Sequence, residues 1–175
     1  MEQKKSISHI VAGLLIAGIL IIYSMAMSFA GGKASGGASG GIITWLIIIL
    51  GLVFFINLYG KSKDNYVSFG NLFAYGFKTT SVMLLVFVLF LVVLAFIMPE
   101  MKKEGLDAAR QQLEKDGKMS DREIEDGLSI MNKYFWVIMI GGSVLAFVIV
   151  GCIGSLIGAA ITKKRPHNPL DQLSV

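Results

Sequence analysis

Few residues in this 175-residue chain could do chemistry, and their spacing decides which chemistry is open to them. Gly37-Ala38-Ser39-Gly40-Gly41 matches the GxSxG pattern of serine hydrolases. That pattern works on a strand-to-helix turn with a histidine partner. Here it lies in a Gly/Ser-rich run, and His9 and His167 sit near opposite chain ends. The string reads as linker. Gly32-Lys33 in the same run is followed by Ala34, and no upstream Gly completes a P-loop.

The acidic run Asp121, Glu123, Glu125, Asp126 raises a calcium site, but an EF-hand loop needs Gly at its sixth position and Glu at its twelfth. Counted from Asp121, those places hold Asp126 and Asn132, so a solvated helix face is the better account. One cysteine, Cys152, excludes an intrachain disulfide and a cysteine-based zinc site. No catalytic, cofactor-binding or metal-ligating residue emerges, and no cofactor is called for.

The elements that would have to position such residues are apolar. The chain is 54% hydrophobic and 16% charged, with a mean hydropathy of +0.68. A soluble domain carries about 25% charged residues, so a water-soluble globule and a disordered tail are both excluded. Four charge-free stretches stand out: Ile10 to Ala30, Ile42 to Tyr59, Thr79 to Met98 and Tyr134 to Thr162. Crossing a hydrocarbon core takes about 20 helical residues. Each of the first three is close to that length, and the fourth must tilt or extend into an interface. None alternates with a period of two, and backbone polar groups in lipid must be paired within the segment. The expected fold is all-α, an integral membrane protein of four transmembrane helices (spans about 10–30, 42–59, 79–98 and 134–161) forming a single membrane domain over 1–175.

Lys4 and Lys5 before the first stretch, with Ser28-Phe29-Ala30 after it, give a secretory-signal alternative. A signal's apolar region is about 7 to 15 residues, and this one is longer. It reads as an uncleaved helix.

The connections differ in kind. Gly31 to Gly41 (GGKASGGASGG) is expected to be a flexible linker. Phe69 to Lys78 is amphipathic, and either lies at the inner surface or lengthens the third helix. Pro99 to Lys133 reads as a helical hairpin outside the bilayer, between helices 3 and 4. Leu106, Ala109 and Leu113 mark one stripe of it, and Ile124, Leu128 and Met131 the other. Asp116-Gly117 is its stop signal. Ser120-Asp121-Arg122-Glu123 is a capping box that opens the next helix, which can run on into the fourth span.

The seven cations of the third connection oppose a simple count, so the expected orientation rests on the unopposed Lys163-Lys164-Arg165 cluster just after the last span. With both termini cytoplasmic, the inner segments hold Lys4, Lys5, Lys61, Lys63, Lys78, Lys163, Lys164 and Arg165 against Glu2, Asp64 and Asp171. The outer hairpin carries seven basic and nine acidic residues, and the first outer loop Lys33 alone. Trp45 and Trp136 then both fall at the outer interface, where indoles are favoured.

Inside the four spans there is no Asp, Glu, Arg, Lys or His. Proton relays, voltage sensors and intramembrane hydrolases use ionisable groups at that depth. Asn57 is the best polar candidate, read as a helix-helix hydrogen bond or an interfacial residue. The fourth helix carries Gly151, Gly154 and Gly158, the last two forming a GxxxG, and small residues of this kind let helix backbones approach closely. These three are the expected helix-packing residues, with Gly13 and Ala17 a weaker version on the first helix.

Tyr66-Val67-Ser68-Phe69-Gly70-Asn71-Leu72-Phe73 with Gly76-Phe77-Lys78, the stretch MSDREIEDGLSIMNK from Met119 to Lys133, and GSLIGAAITKK from Gly154 to Lys164 together resemble one bacterial family. That family is Domain of Unknown Function 4199, small four-helix membrane proteins. The resemblance covers most of the chain and implies a bacterial inner-membrane location without an assigned activity. It supplies no site residues. The Gly-rich run is not expected from it.

The functional expectation is a non-enzymatic structural or interaction component of a bacterial inner membrane. The alternative is a transport component for uncharged or apolar solutes. An enzyme would need polar groups to converge from Asn57 or the hairpin. The first expected partner is the lipid bilayer, followed by another membrane protein or a second copy of the chain. Nothing points to nucleic acid or to a small-molecule substrate.

Overall fold

The computed structural model describes residues 6–29 and 38–165. These form five helices: α1 (His9–Phe29), α2 (Ala38–Ser62), α3 (Phe69–Ile97), α4 (Glu100–Asp116) and α5 (Asp121–Ile161). The fold is all-α. Four of the helices, all but α4, are long and apolar enough to cross a membrane.

Local chemistry sets the helix ends. Three serines cap: Ser8 Oγ accepts from the Val11 amide, Ser68 Oγ accepts from the Asn71 amide, and Ser120 opens α5. The first two each satisfy a first-turn donor that has no intrahelical partner. At Ser120 the capping box is formed from the glutamate's side. Both the amide and the hydroxyl of Ser120 donate to Glu123 Oε2, each at 2.8 Å. α2 closes on Gly60, whose carbonyl accepts from the amides of Lys63 and Asn65. Asp64 and Asn65 take positive φ values of 51° and 65° there, a conformation open to Asp and Asn among side-chain-bearing residues. α4 ends at Gly117 with φ 59°, where the sequence places its stop.

Several expected boundaries move. Phe69 to Lys78 lengthens the third helix, so that helix begins ten residues before Thr79. It ends at Ile97, not Met98. The second helix begins at Ala38 and runs to Ser62 instead of spanning Ile42 to Tyr59. The last four residues of the expected linker are therefore helical, Ser39 of the GxSxG string among them. The rest of that run, and Ala30, lie outside the described residues, as do Lys4, Lys5 and His167. α5 does run from the capping box through the charge-free stretch, but Tyr134 (φ −111°, ψ 18°) breaks it into two helical pieces. The break falls where Lys133, the last cation before the charge-free stretch, gives way to apolar sequence.

The chain divides into two compact units. Unit 1 is Met1–Val86 with Phe147–Val175, and unit 2 is Phe87–Ala146. The core of unit 1 holds Ala12, Ile16, Ala17 and Leu20 of α1, Ile48, Leu52 and Ile56 of α2, Leu72 and Met83 of α3, and Ala159 of α5. Unit 2 buries Phe87, Leu91, Ile124 and Phe135. Large apolar side chains elsewhere stand open. Ile22 is 70% exposed, Leu50 63%, Leu85 60% and Leu145 64%, one on each long helix.

Candidate functional site

The glycines define a close-packed seam in unit 1. A Cβ built on Gly154 would lie 3.3 Å from Ile49 Cα and 2.9 Å from Leu52 Cδ1. One built on Gly158 would lie 3.3 Å from Val53 Cα and 2.6 Å from Ile56 Cδ1. Both helices advance by four residues between these contacts, so α5 and α2 run parallel, backbone against backbone. On α3 the register reverses. Gly151 meets Thr80, and Ser155 meets Gly76, so α3 and α5 are antiparallel. Gly13 of α1 is set against the Thr79 carbonyl and Val82, and Gly51 of α2 against Ile16. Gly151, Gly154 and Gly158 thus face helices of their own chain.

Hydroxyls line the same seam. Thr79, Thr80 and Thr162 are buried, and each donates to the carbonyl four residues earlier: Tyr75, Gly76 and Gly158. That arrangement pairs a hydroxyl without help from another helix. Ser155, fully buried, makes no hydrogen bond to a described residue, nor does Tyr23 through its hydroxyl. Asn57 is half-buried on α2. His9 is the first residue of α1, and Cys152 is half-buried on α5.

One end of unit 1 gathers three chain segments. Tyr75 Oη donates to the Ile7 carbonyl at 2.9 Å, and the Tyr75 ring stacks on Tyr59 with centroids 4.3 Å apart. The Arg165 amide donates to the Asn65 carbonyl, and Gly60 faces Thr162 Cγ2. The start of α1 is thus tied to α3 through Tyr75, and the α2–α3 turn to the end of α5. Lys164 Nζ lies 5.4 Å above the Phe69 ring, and the Arg165 guanidinium 5.7 Å above Tyr66. These contacts were not visible in the sequence, because they join residues up to 102 positions apart. Aromatics clustered beside a span end, Tyr59, Tyr66, Phe69 and Tyr75, were the one available signal.

Unit 2 holds the hairpin of α4 and the first piece of α5. Gly105 lies under the Phe135 ring, and Arg110 reaches Glu114 at 3.2 Å and Glu125 at 3.8 Å. The two expected stripes turn inward: Ile124 is buried, and Leu106, Ala109, Leu113, Leu128 and Met131 are half-buried. Beside them an open groove of about 430 Å³ is lined by Leu106, Arg110, Glu125, Leu128 and Asn132 among others. The acidic run is spread along an exposed helix. The two Ser120 donors hold the Glu123 carboxyl below the usual carboxylate range.

Compared with known proteins, residues 8–164 match the family described as protein of unknown function (DUF4199). No curated protein and no solved structure matches the chain.

Proposed function

This chain belongs to the DUF4199 family of proteins of unknown function, and we propose that it is a multi-pass integral protein of a bacterial inner membrane with a structural or interaction role and no enzymatic one. The observation that carries the reading is the exposed apolar surface of four membrane-length helices. A side chain such as Phe96, 81% exposed, is favoured in lipid and penalised in water. The Lys163-Lys164-Arg165 cluster just after the last span supports both termini and the α2–α3 turn in the cytoplasm and the hairpin outside. The meeting of Ile7, Asn65 and Arg165 segments at one end of unit 1 supports placing those three on one side. Spans without an ionisable residue argue against acid-base chemistry at membrane depth. The exposed hairpin offers a surface for a partner.

Partner capture tests the role. The tagged protein is crosslinked in its native membrane, extracted gently and analysed for stoichiometric companions. A reproducible membrane-protein partner, or a discrete self-oligomer, is expected. A lone monomer that alone passes an uncharged solute across vesicle membranes would instead establish the transport alternative.

A further inference from the structure

We infer that the cation-rich end of unit 1 seats the phosphate of an anionic phospholipid headgroup, an assignment that rests on the membrane-spanning reading above. Five cations are carried there, Lys61 and Lys63 on the close of α2 and Lys163, Lys164 and Arg165 after α5, and all five are exposed. The two stretches are held together by the Arg165 amide bond to Asn65 and the approach of Gly60 to Thr162. Asp64 is the one carboxylate within them, and none of the five cations is ion-paired to a described residue. The hairpin differs, because its seven cations are offset by nine carboxylates.

Two of the cationic heads are positioned. The Phe69 ring lies under Lys164 and the Tyr66 ring under Arg165, within the range at which a ring face attracts a cation. A guanidinium laid on a ring keeps its N–H edge free, and that edge matches phosphate oxygens.

The occupant is narrowed by what adjoins the cations. Ile157, Ile161 and Phe69 are 40%, 60% and 43% exposed, so apolar surface begins within one or two helical turns of the charges. An acidic polypeptide or a nucleic acid would satisfy the cations and leave that surface in water. A phospholipid covers both, phosphate on the cations and acyl chain on the isoleucines. In the inward-termini orientation this end faces the cytoplasmic leaflet, where anionic lipid attracts basic clusters.

The test uses the full-length protein in two stages. Native membranes are first washed with alkaline carbonate, and release of the protein would overturn the membrane-spanning reading itself. Protein that stays in the membrane is purified in neutral detergent, and its thermal unfolding midpoint is followed during titration with phosphatidylglycerol, phosphatidylcholine, glycerol phosphate or polyglutamate. Phosphatidylglycerol is expected to raise the midpoint at concentrations at least about 25-fold below phosphatidylcholine, the effect of two cations near an anionic surface at about fivefold each. The double variant Lys164→Gln/Arg165→Gln should weaken that response about 25-fold, at about fivefold per cation. Lys115→Gln/Lys118→Gln on the hairpin should leave it unchanged. Raising ionic strength from about 0.15 M to about 1 M should weaken it too, as the screening length falls from about 8 Å to about 3 Å. Should the first double variant fail to fold, Lys61→Gln/Lys63→Gln gives the same reading without touching either ring. Equal responses to the two lipids, a response to glycerol phosphate as strong as to phosphatidylglycerol, tighter binding of polyglutamate, or a wild-type response in the folded variants would each overturn the assignment.

Discussion

At Gly154 a side chain has little room, because Leu52 Cδ1 at 2.9 Å and the Ile49 backbone at 3.3 Å both stand against the position of its first carbon. Gly154→Leu therefore has to separate α5 from α2, and overpacking of this kind costs about 1–3 kcal/mol. Leu145→Ile changes shape at a side chain that is 64% exposed, and such surface changes stay within about 0.5 kcal/mol. Thermal unfolding of the two variants in detergent should show a clear loss for the first and little change for the second. Equal midpoints would remove the close-packing role from Gly154. A second residue-scale test concerns Tyr75, whose hydroxyl ties α3 to the start of α1. Tyr75→Phe keeps the stack on Tyr59 and loses one hydrogen bond, a loss of about 1 kcal/mol. Hydrogen exchange should quicken at the first amides of α1 and stay unchanged in the hairpin. The sequence displays the glycine spacing on α5, but not that Gly151 meets α3 while Gly154 and Gly158 meet α2. Those assignments depend on neighbours about 70 to 105 positions away.

Helix ends follow nearby residues, so they were largely legible. Gly117 stops α4 and Ser120 with Glu123 starts α5, both as the sequence indicates. One boundary was left between two alternatives and another was not legible, for different reasons. Lys78 interrupts the apolar run of α3, although a lysine is tolerated on an exposed helix face where its stem covers apolar surface. Ala38 to Gly41 has linker composition, yet it continues the helix begun by Ile42 and Ile43. The cap at Ser120 carries a pH prediction. Glu123 is held below the usual carboxylate range by donors that exist only in the folded cap, so the charged form favours the cap. That contribution is present above the ordinary glutamate range and is lost as pH falls through the lowered value. Exchange at the amides of 121–124, corrected for intrinsic rates, should accelerate on acidification, and Glu123→Gln should abolish the pH dependence. In the hairpin, contact with Phe135 matters more than charge. Arg110 is half exposed and its partners at least as much, and pairs of that kind contribute about 0–1 kcal/mol. Phe135 is 8% exposed against Gly105, and truncating a buried Phe costs about 3–5 kcal/mol. Phe135→Ala should therefore lower the unfolding midpoint well beyond Arg110→Ala, and the reverse order would reassign what holds the hairpin closed.

For the whole molecule, the proposed membrane insertion and sidedness rest on two independent properties. Exposed apolar side chains on α1, α2, α3 and α5 favour a lipid environment, and the charge-free stretches that announce this can be read directly from the sequence. The proposed sidedness rests on the Lys163-Lys164-Arg165 cluster after the last span and on the common end shared by Ile7, Asn65 and Arg165. The first is legible along the chain; the second needs the packed helices of unit 1. The direct test is cysteine accessibility in intact cells, in a Cys152→Ser background, with an impermeant thiol reagent. Ser120→Cys on the hairpin should label from outside, and Lys163→Cys after α5 should label only once the membrane is broken. Labelling of Lys163→Cys in intact cells with Ser120→Cys protected would invert the orientation, and labelling of both at once would contradict a membrane-spanning chain with these two sites on opposite sides.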